Sequence, residues 1–340
     1  MAFEMCILGS GSSGNATLLR SAGTTHQKAG NAILIDAGFG PQTTAKKLAA
    51  LGGGIQLSEI RAICLTHLDR DHINMNWLAT LVKYQISVFC HESAADALRR
   101  AMRDFAAGRK AMVGAAALVE GYETGVAFAP VLDEEIRIQT LRFAHDEAGS
   151  HGFLIEVEKK SAAGTIVGRI GYATDLGHVP AELPELFCGV DVLALESNYD
   201  PDMELASDRP WPLKQRVMGG SGHLSNQQAY AAVQAVLDTT EVRHGPHRLP
   251  KHIVLLHRSR ECNCPQLLRR LFEQDDRIAP RLTLAEQYAP TGWLRVHRAA
   301  GDDGRVEAGT PRITVQAGRG ERGTRRGARI GAQLPLLELG

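Results

Sequence analysis

The stretch Thr66-His67-Leu68-Asp69-Arg70-Asp71-His72 constrains this chain more than any other. His67, Asp69, Asp71 and His72 place four metal-capable side chains within six positions. The apolar run Ile60-Arg61-Ala62-Ile63-Cys64-Leu65 precedes them and reads as a buried strand. Ile73 to Val82 follows and reads as a helix, with Ile73, Trp77, Leu78 and Leu81 on one face. The cluster therefore falls on a strand-to-helix turn, where the backbone changes direction and aims alternate side chains at one point. Imidazole and carboxylate together suit Zn, Mn or Fe. One such residue would be an ordinary polar loop residue; four so closely spaced point to a metal.

Length and composition bound what surrounds this stretch. At 340 residues the chain has room for one large domain or two ordinary ones, and for a sizeable core. A content of 44% hydrophobic and 22% charged residues is that of a soluble globular protein. The net charge is zero with His neutral, so no overall bias toward polyanions exists. Cys6, Cys64, Cys90, Cys188, Cys262 and Cys264 are scattered, mostly in apolar runs, as reduced buried thiols of a cytoplasmic protein would be. Met1 to Cys6 lacks the basic region and long apolar run of a signal peptide, and no stretch approaches a membrane span.

Along the chain, residues 3–8 read as a strand followed by Gly9-Ser10-Gly11-Ser12-Ser13-Gly14-Asn15, which has the spacing G-x-G-x-x-G. Asp36 follows Gly14 by 22 residues, near the distance of a ribose-binding acid. A dinucleotide fingerprint requires a helix opening on the third glycine. Asn15 to Arg20 is too short for one before the next strand, Ala32 to Ile35, so the expectation is a β-meander whose glycines let a loop run close to a ligand or another backbone. Further strands are read at residues 86–90, 136–143, 152–158, 166–173, 190–195 and 252–256. Helices are read at 43–51, 92–106, 226–237 and 265–272. Two blocks, each of strands followed by helices, predict two packed sheets with helices outside.

Three later strand ends offer more ligands: His145 after Phe143-Ala144, Asp175 after Tyr172-Ala173-Thr174, and His257 after Leu255-Leu256. With the central four they make seven, about what two divalent ions sharing a bridging carboxylate require. Thr-His-x-x-x-Asp-His on a strand-to-helix turn, with single His, Asp and His at later strand ends, resembles the metallo-β-lactamase superfamily over residues 3–296. Leu8 to Ala16, Leu34 to Gly38, Tyr172 to Gly177, Gly222-His223-Leu224-Ser225-Asn226 and Leu256 to Asn263 are similar to its YycJ/WalJ branch of exonuclease-like hydrolases. The resemblance implies an α/β fold, a four-layer αββα sandwich of two mixed sheets flanked by helices, over residues 1–298. It implies two divalent metal ions, Zn or Mn with Fe as a third option: one held by His67, Asp69 and His145, the other by Asp71, His72 and His257, with Asp175 bridging. Asp36 would hydrogen-bond around the ions rather than bind them. The family usually has His where Asp69 stands; a harder carboxylate would either ligate and favour Mn or Fe, or hold a water and leave the first ion weakly bound.

Two such ions lower the pKa of a shared water and supply hydroxide for in-line attack on phosphorus or carbonyl carbon, and Asp71 sits at that centre. His223 is the candidate proton donor to the leaving oxygen. Ser12, Ser13, Asn15, Asn198 and Ser225 are candidate substrate contacts, Ser225 at a helix start that attracts phosphate. The expected activity is phosphodiester hydrolysis in DNA, as a nuclease or exonuclease. A small ester, thioester or cyclic phosphodiester is the rival substrate. An oxidoreductase, through a dinucleotide at Gly9–Gly14 or di-iron chemistry at Asp69, is the rival class, and a non-catalytic binding protein a third. Residues 299–340 read as a flexible basic tail. It ends in Gln333-Leu334-Pro335-Leu336-Leu337, which looks like a bacterial sliding-clamp peptide. Gln333, Leu334, Leu336 and Leu337 would be its anchors, while the arginines before it would track DNA phosphates.

Overall fold

Strands buried on both faces organise the chain, and their side chains divide by alternation. β1 (Ala2–Gly9) sends Phe3, Met5 and Ile7 into one apolar core and Cys6 and Leu8 into another. β2 (Ala16–Ala22) and β3 (Ala32–Ile35) complete an antiparallel meander with it. β4 (Ile60–Cys64), β5 (Ser87–His91) and β6 (Val119–Tyr122) then add on in parallel. A second sheet repeats the plan. β7 (Ile136–Phe143), β8 (Ser150–Ser161) and β9 (Gly164–Ala173) form the meander. β10 (Val192–Glu196), β11 (His252–Leu256) and β12 (Leu282–Leu284) add in parallel. β13 (Leu294–Val296) returns to the first sheet, antiparallel to β1.

This computed structural model describes residues 2–22, 32–52, 55–131, 136–145, 149–161 and 164–296. The core between the sheets joins Met5, Ile33 and Ala62 of the first to Phe153, Tyr172 and Val254 of the second. Helices α1 (Pro41–Ala50), α2 (Leu78–Tyr84) and α3 (Glu92–Ala106) close the outer face of the first sheet through Leu48, Leu81, Leu98 and Met102. On the second sheet lies α4 (Leu183–Phe187), then the pair α5 (Pro201–Ala206) and α6 (Trp211–Met218), then α7 (Asn226–His244) and α8 (Pro265–Phe272). Phe187, Val233, Leu237, Leu268 and Phe272 fill that outer core. The layers are helix, sheet, sheet, helix, the αββα sandwich expected. Among the described residues no helix is long and apolar enough to cross a membrane.

Two expectations change. Ile73 does not open a helix: it forms an isolated bridge to Ala37, a 3-10 turn covers Met75–Trp77, and α2 starts at Leu78. The apolar spacing is helical, but the main chain of His72 is claimed by Ala37, whose N–H donates to its carbonyl at 2.7 Å. The Gly9–Gly14 loop leads into β2, antiparallel to β1, with no helix on Gly14, so a dinucleotide has no helix terminus to occupy. The 299–340 segment, with Gln333, Leu334, Leu336 and Leu337, lies outside the described residues.

Gly38 shows how closely the loops meet. Its N–H donates to Asn15 O at 2.9 Å, and a Cβ there would stand 1.9 Å from the Asp71 carbonyl oxygen. Gly38→Ala is expected to cost about 1–3 kcal/mol of stability, because backbone rather than a flexible side chain must give way. Urea denaturation measures this.

Candidate metal centre

The site forms along one edge of the sandwich, just past the strands. Asp36 follows β3 directly, Asp175 follows β9 with Thr174 between, and His257 follows β11 directly. All three adopt left-handed backbone, with φ of 60°, 53° and 51°. Such conformations cost on the order of 1–3 kcal/mol each and persist where the surroundings over-determine them. At Asp36 the surroundings are plain. Its carboxylate accepts from Thr66 N at 2.8 Å and from Thr66 Oγ1, and pairs with His72 Nδ1 at 2.8 Å, all fully buried. That pairing turns His72 Nε2 toward Asp175 Oδ2, 3.1 Å away.

The other imidazoles are oriented likewise. His145 Nδ1 donates to Gly222 O at 3.0 Å, leaving Nε2 facing Asp69 Oδ2 at 3.9 Å. His67 Nε2 is 3.7 Å from the same oxygen. His257 sets Nε2 at 3.4 Å from Asp71 Oδ2 and Nδ1 at 3.2 Å from Asp175 Oδ1. The residues expected to act together do converge. His67, Asp69 and His145 bring their ligand atoms within 4.8 Å of one another, as do Asp71, His72 and His257; Asp175 joins His67 and His72, one from each group.

Electrostatics show why the cluster suits cations. Burial opposes charge on His72, yet Asp36, Asp71 and Asp175 hold its pKa well above the ordinary imidazole value. Burial likewise opposes charge on His257, and Asp175, Asp71 and Glu196 carry its pKa up to about 9. Burial would raise the carboxyls, but His72 and His257 draw Asp71 down to about 2 and Asp175 well below the usual carboxylate range. Positive charge is thus favoured at this spot, and a divalent ion taken up by these donors displaces the protons. The donor set of imidazole and carboxylate, pre-aimed by buried partners, fits Zn or Mn.

The family model of the Beta-lactamase superfamily domain matches residues 31–244. The chain belongs to the metallo-β-lactamase superfamily. It is 25% identical over 275 residues to exodeoxyribonuclease YycJ of Bacillus anthracis, covering 81% of this chain and 89% of that one. It is also 25% identical over 278 residues to exodeoxyribonuclease WalJ of Streptococcus pneumoniae, covering 78% and 85%. Zn(2+)-bound PqqB from Methylobacterium extorquens shares the fold, with a TM-score of 0.54 at 16% identity over 85% of this chain and 99% of that one. The protein is a metallo-β-lactamase-fold hydrolase.

Around this superfamily core the structure redistributes several candidate residues. Ser12 lines the cleft with His67, Asp69, Asp71, His145, Asp175, His223 and His257. Ser13 is exposed beside it. Asn15, expected to touch substrate, is buried instead; its Nδ2 lies 2.9 Å from His72 Nε2 and 3.2 Å from Asp71 Oδ2, and its Oδ1 accepts from Gly11 N. Asn198 is buried too, donating to His257 O at 2.7 Å. Ser225 caps α7, accepting from Gln228 N at 3.2 Å. Asn15 and Asn198 brace His72, Asp71 and His257 from behind, and Ser225 fixes the start of α7. His151 is buried and stacked on His91 with ring centroids 4.4 Å apart; burial, then His91, push its pKa down to about 4. Cys262 and Cys264 join no metal-capable group among the described residues.

Glu196 escaped the sequence reading. It ends β10, is fully buried, and its carboxylate meets His223 Nδ1 at 2.7 Å and His257 Nδ1 at 3.3 Å while accepting from Leu176 N. The one local signal it carries is an acid closing an apolar strand, close to the place Asp36 holds just past β3.

A group with a raised folded pKa stabilises the fold fully below its ordinary value and loses that contribution as pH rises through the folded value. For His257 this window runs from 6.5 to about 9. Thermal melts in chelator are expected to show a melting temperature falling by several degrees across it, whereas melts with Zn or Mn show little slope.

Proposed function

We propose that this protein is a nuclease that hydrolyses phosphodiester bonds in DNA with two divalent cations. The observation that carries the reading is the pair of ligand groups meeting at Asp175 in an open cleft. The similarity to two proteins named exodeoxyribonucleases supports DNA as the substrate. Bound divalent ions supply an activated water and charge neutralisation at phosphate oxygens.

The chain's own residues do the rest. Asp36 orients His72, and Gly222 O orients His145, so neither ring reorganises when substrate arrives. His223 lines the cleft with Nδ1 held by Glu196 Oε1 at 2.7 Å and Asp175 Oδ1 at 3.3 Å. Burial opposes its charge, but Glu196 and Asp175 raise its pKa well above the ordinary value. With Nδ1 engaged by two carboxylates, the proton the ring delivers to a leaving alkoxide is the one on Nε2.

Purified protein loaded with Mn or Zn is expected to degrade labelled single-stranded DNA as well as bis-p-nitrophenyl phosphate. His223→Gln should lower kcat on DNA by about 10²–10³-fold with the metal content held. Hydrolysis of the small diester or of a thioester without any DNA cleavage would overturn the nuclease reading. Asp69, half-exposed and facing two imidazoles, is proposed as a ligand that favours Mn over Zn. Metal analysis checks it: Asp69→Ala should lose one of two ions, Asp69→His should shift the preference toward Zn, and iron absorbance in the purified protein would argue for redox chemistry instead.

A further inference from the structure

We infer that Tyr288, Arg260 and Ser13 form a base-stacking shelf for single-stranded DNA at the lip of the cleft, an inference that rests on the nuclease reading. Tyr288 is a large ring left 59% exposed. Such a ring ordinarily pivots, but this one is pinned. Arg260 Nη1 donates to its hydroxyl at 3.0 Å, and Ser13 Oγ lies 3.3 Å from the same oxygen. Its main-chain carbonyl accepts from Lys47 Nζ at 2.8 Å. The preceding residue, Gln287, is buried and stitched to the glycine-rich loop: it accepts from Ser13 N at 3.1 Å and donates to Gly14 O at 3.1 Å. Ser12, the next residue in that loop, lines the cleft itself.

The arrangement holds an aromatic ring against Ser13, whose chain neighbour Ser12 lines the cleft, while leaving much of the ring in water. Pre-organised rings of this kind gain affinity because little freedom is lost on contact. The Arg260 guanidinium stands 5.2 Å from the ring centroid and supplies the neighbouring positive charge. Single-stranded nucleic acid is bound by just this pairing, a ring for the base and a cation for the phosphate beside it. The floor of the cleft carries Asp69, Asp71 and Asp175, so charge that attracts a polyanion has to sit at the rim. Arg216 of α6 lines the same cleft with Leu213. The base next to the scissile phosphate would lie on Tyr288 and its outer phosphate on Arg260.

The test compares wild type, Tyr288→Ala, Tyr288→Trp and Arg260→Ala on bis-p-nitrophenyl phosphate, a single-stranded oligonucleotide, and the same oligonucleotide with abasic residues at its ends. The expected result is a fall of about tenfold or more in kcat/KM on the intact oligonucleotide, relative to the small diester, for Tyr288→Ala. Tyr288→Trp should restore it. On the abasic oligonucleotide wild type and Tyr288→Ala should be alike, because the partner of the ring is gone. Arg260→Ala should flatten the salt dependence of KM. DNA cleavage that keeps the wild-type ratio in Tyr288→Ala overturns the shelf alone. Small-diester hydrolysis by wild type with no DNA cleavage overturns the nuclease reading and the shelf with it.

Discussion

Asp36, Asp71, Asp175 and Glu196 crowd four carboxylates into one edge of the sandwich, three of them almost wholly buried. Carboxylates in a dry interior repel one another and are costly unless opposite charge is brought to them. The chain brings His72, His223 and His257, each facing at least two of the acids. This balance is what the surrounding structure serves. It explains why strained backbone is tolerated at Asp36, Asp175 and His257, and why divalent cations have a ready place there.

The sandwich makes the balance mechanically stable. The metal-capable side chains come from both sheets, so the site holds its geometry only if the sheets hold their relation. Cross-sheet hydrogen bonds keep it: His257 N donates to Ser10 Oγ at 2.9 Å, and His151 N on β8 donates to Thr66 O at 3.0 Å. The glycine-rich loop belongs to the same frame. Asn15 N donates to Asp71 O at 2.7 Å, and the Asn15 side chain touches both Asp71 and His72. A loop whose spacing imitates a dinucleotide fingerprint thus braces the turn carrying the ligands.

Much of the site was legible because its residues sit where local rules expose them. His67, Asp69, Asp71 and His72 are adjacent in sequence, and His145, Asp175 and His257 each break an apolar run at its end. Glu196 obeys the same rule but stands alone, with no neighbour to single it out, and its meaning comes from His223, 27 residues away. Asn15, Asn198 and Ser225 carried the chemistry of substrate contacts. Their burial and existing hydrogen bonds, which no local pattern encodes, turned them into supports.

What the sequence by itself determined is therefore the central strands of both sheets and the candidate ligands at their ends, because each depends on residues within a few positions; the short strands β6, β12 and β13 carry too few residues to show a pattern of their own. What only the tertiary structure decided is which polar groups face the cleft and which face each other. The pairing of Glu196 with His223, the claim of Ala37 on the His72 main chain, and the pinning of Tyr288 against the glycine-rich loop all join segments far apart in the chain. Hydrogen bonds and charges act over a few ångströms of space, so their outcome waits until the sheets have packed.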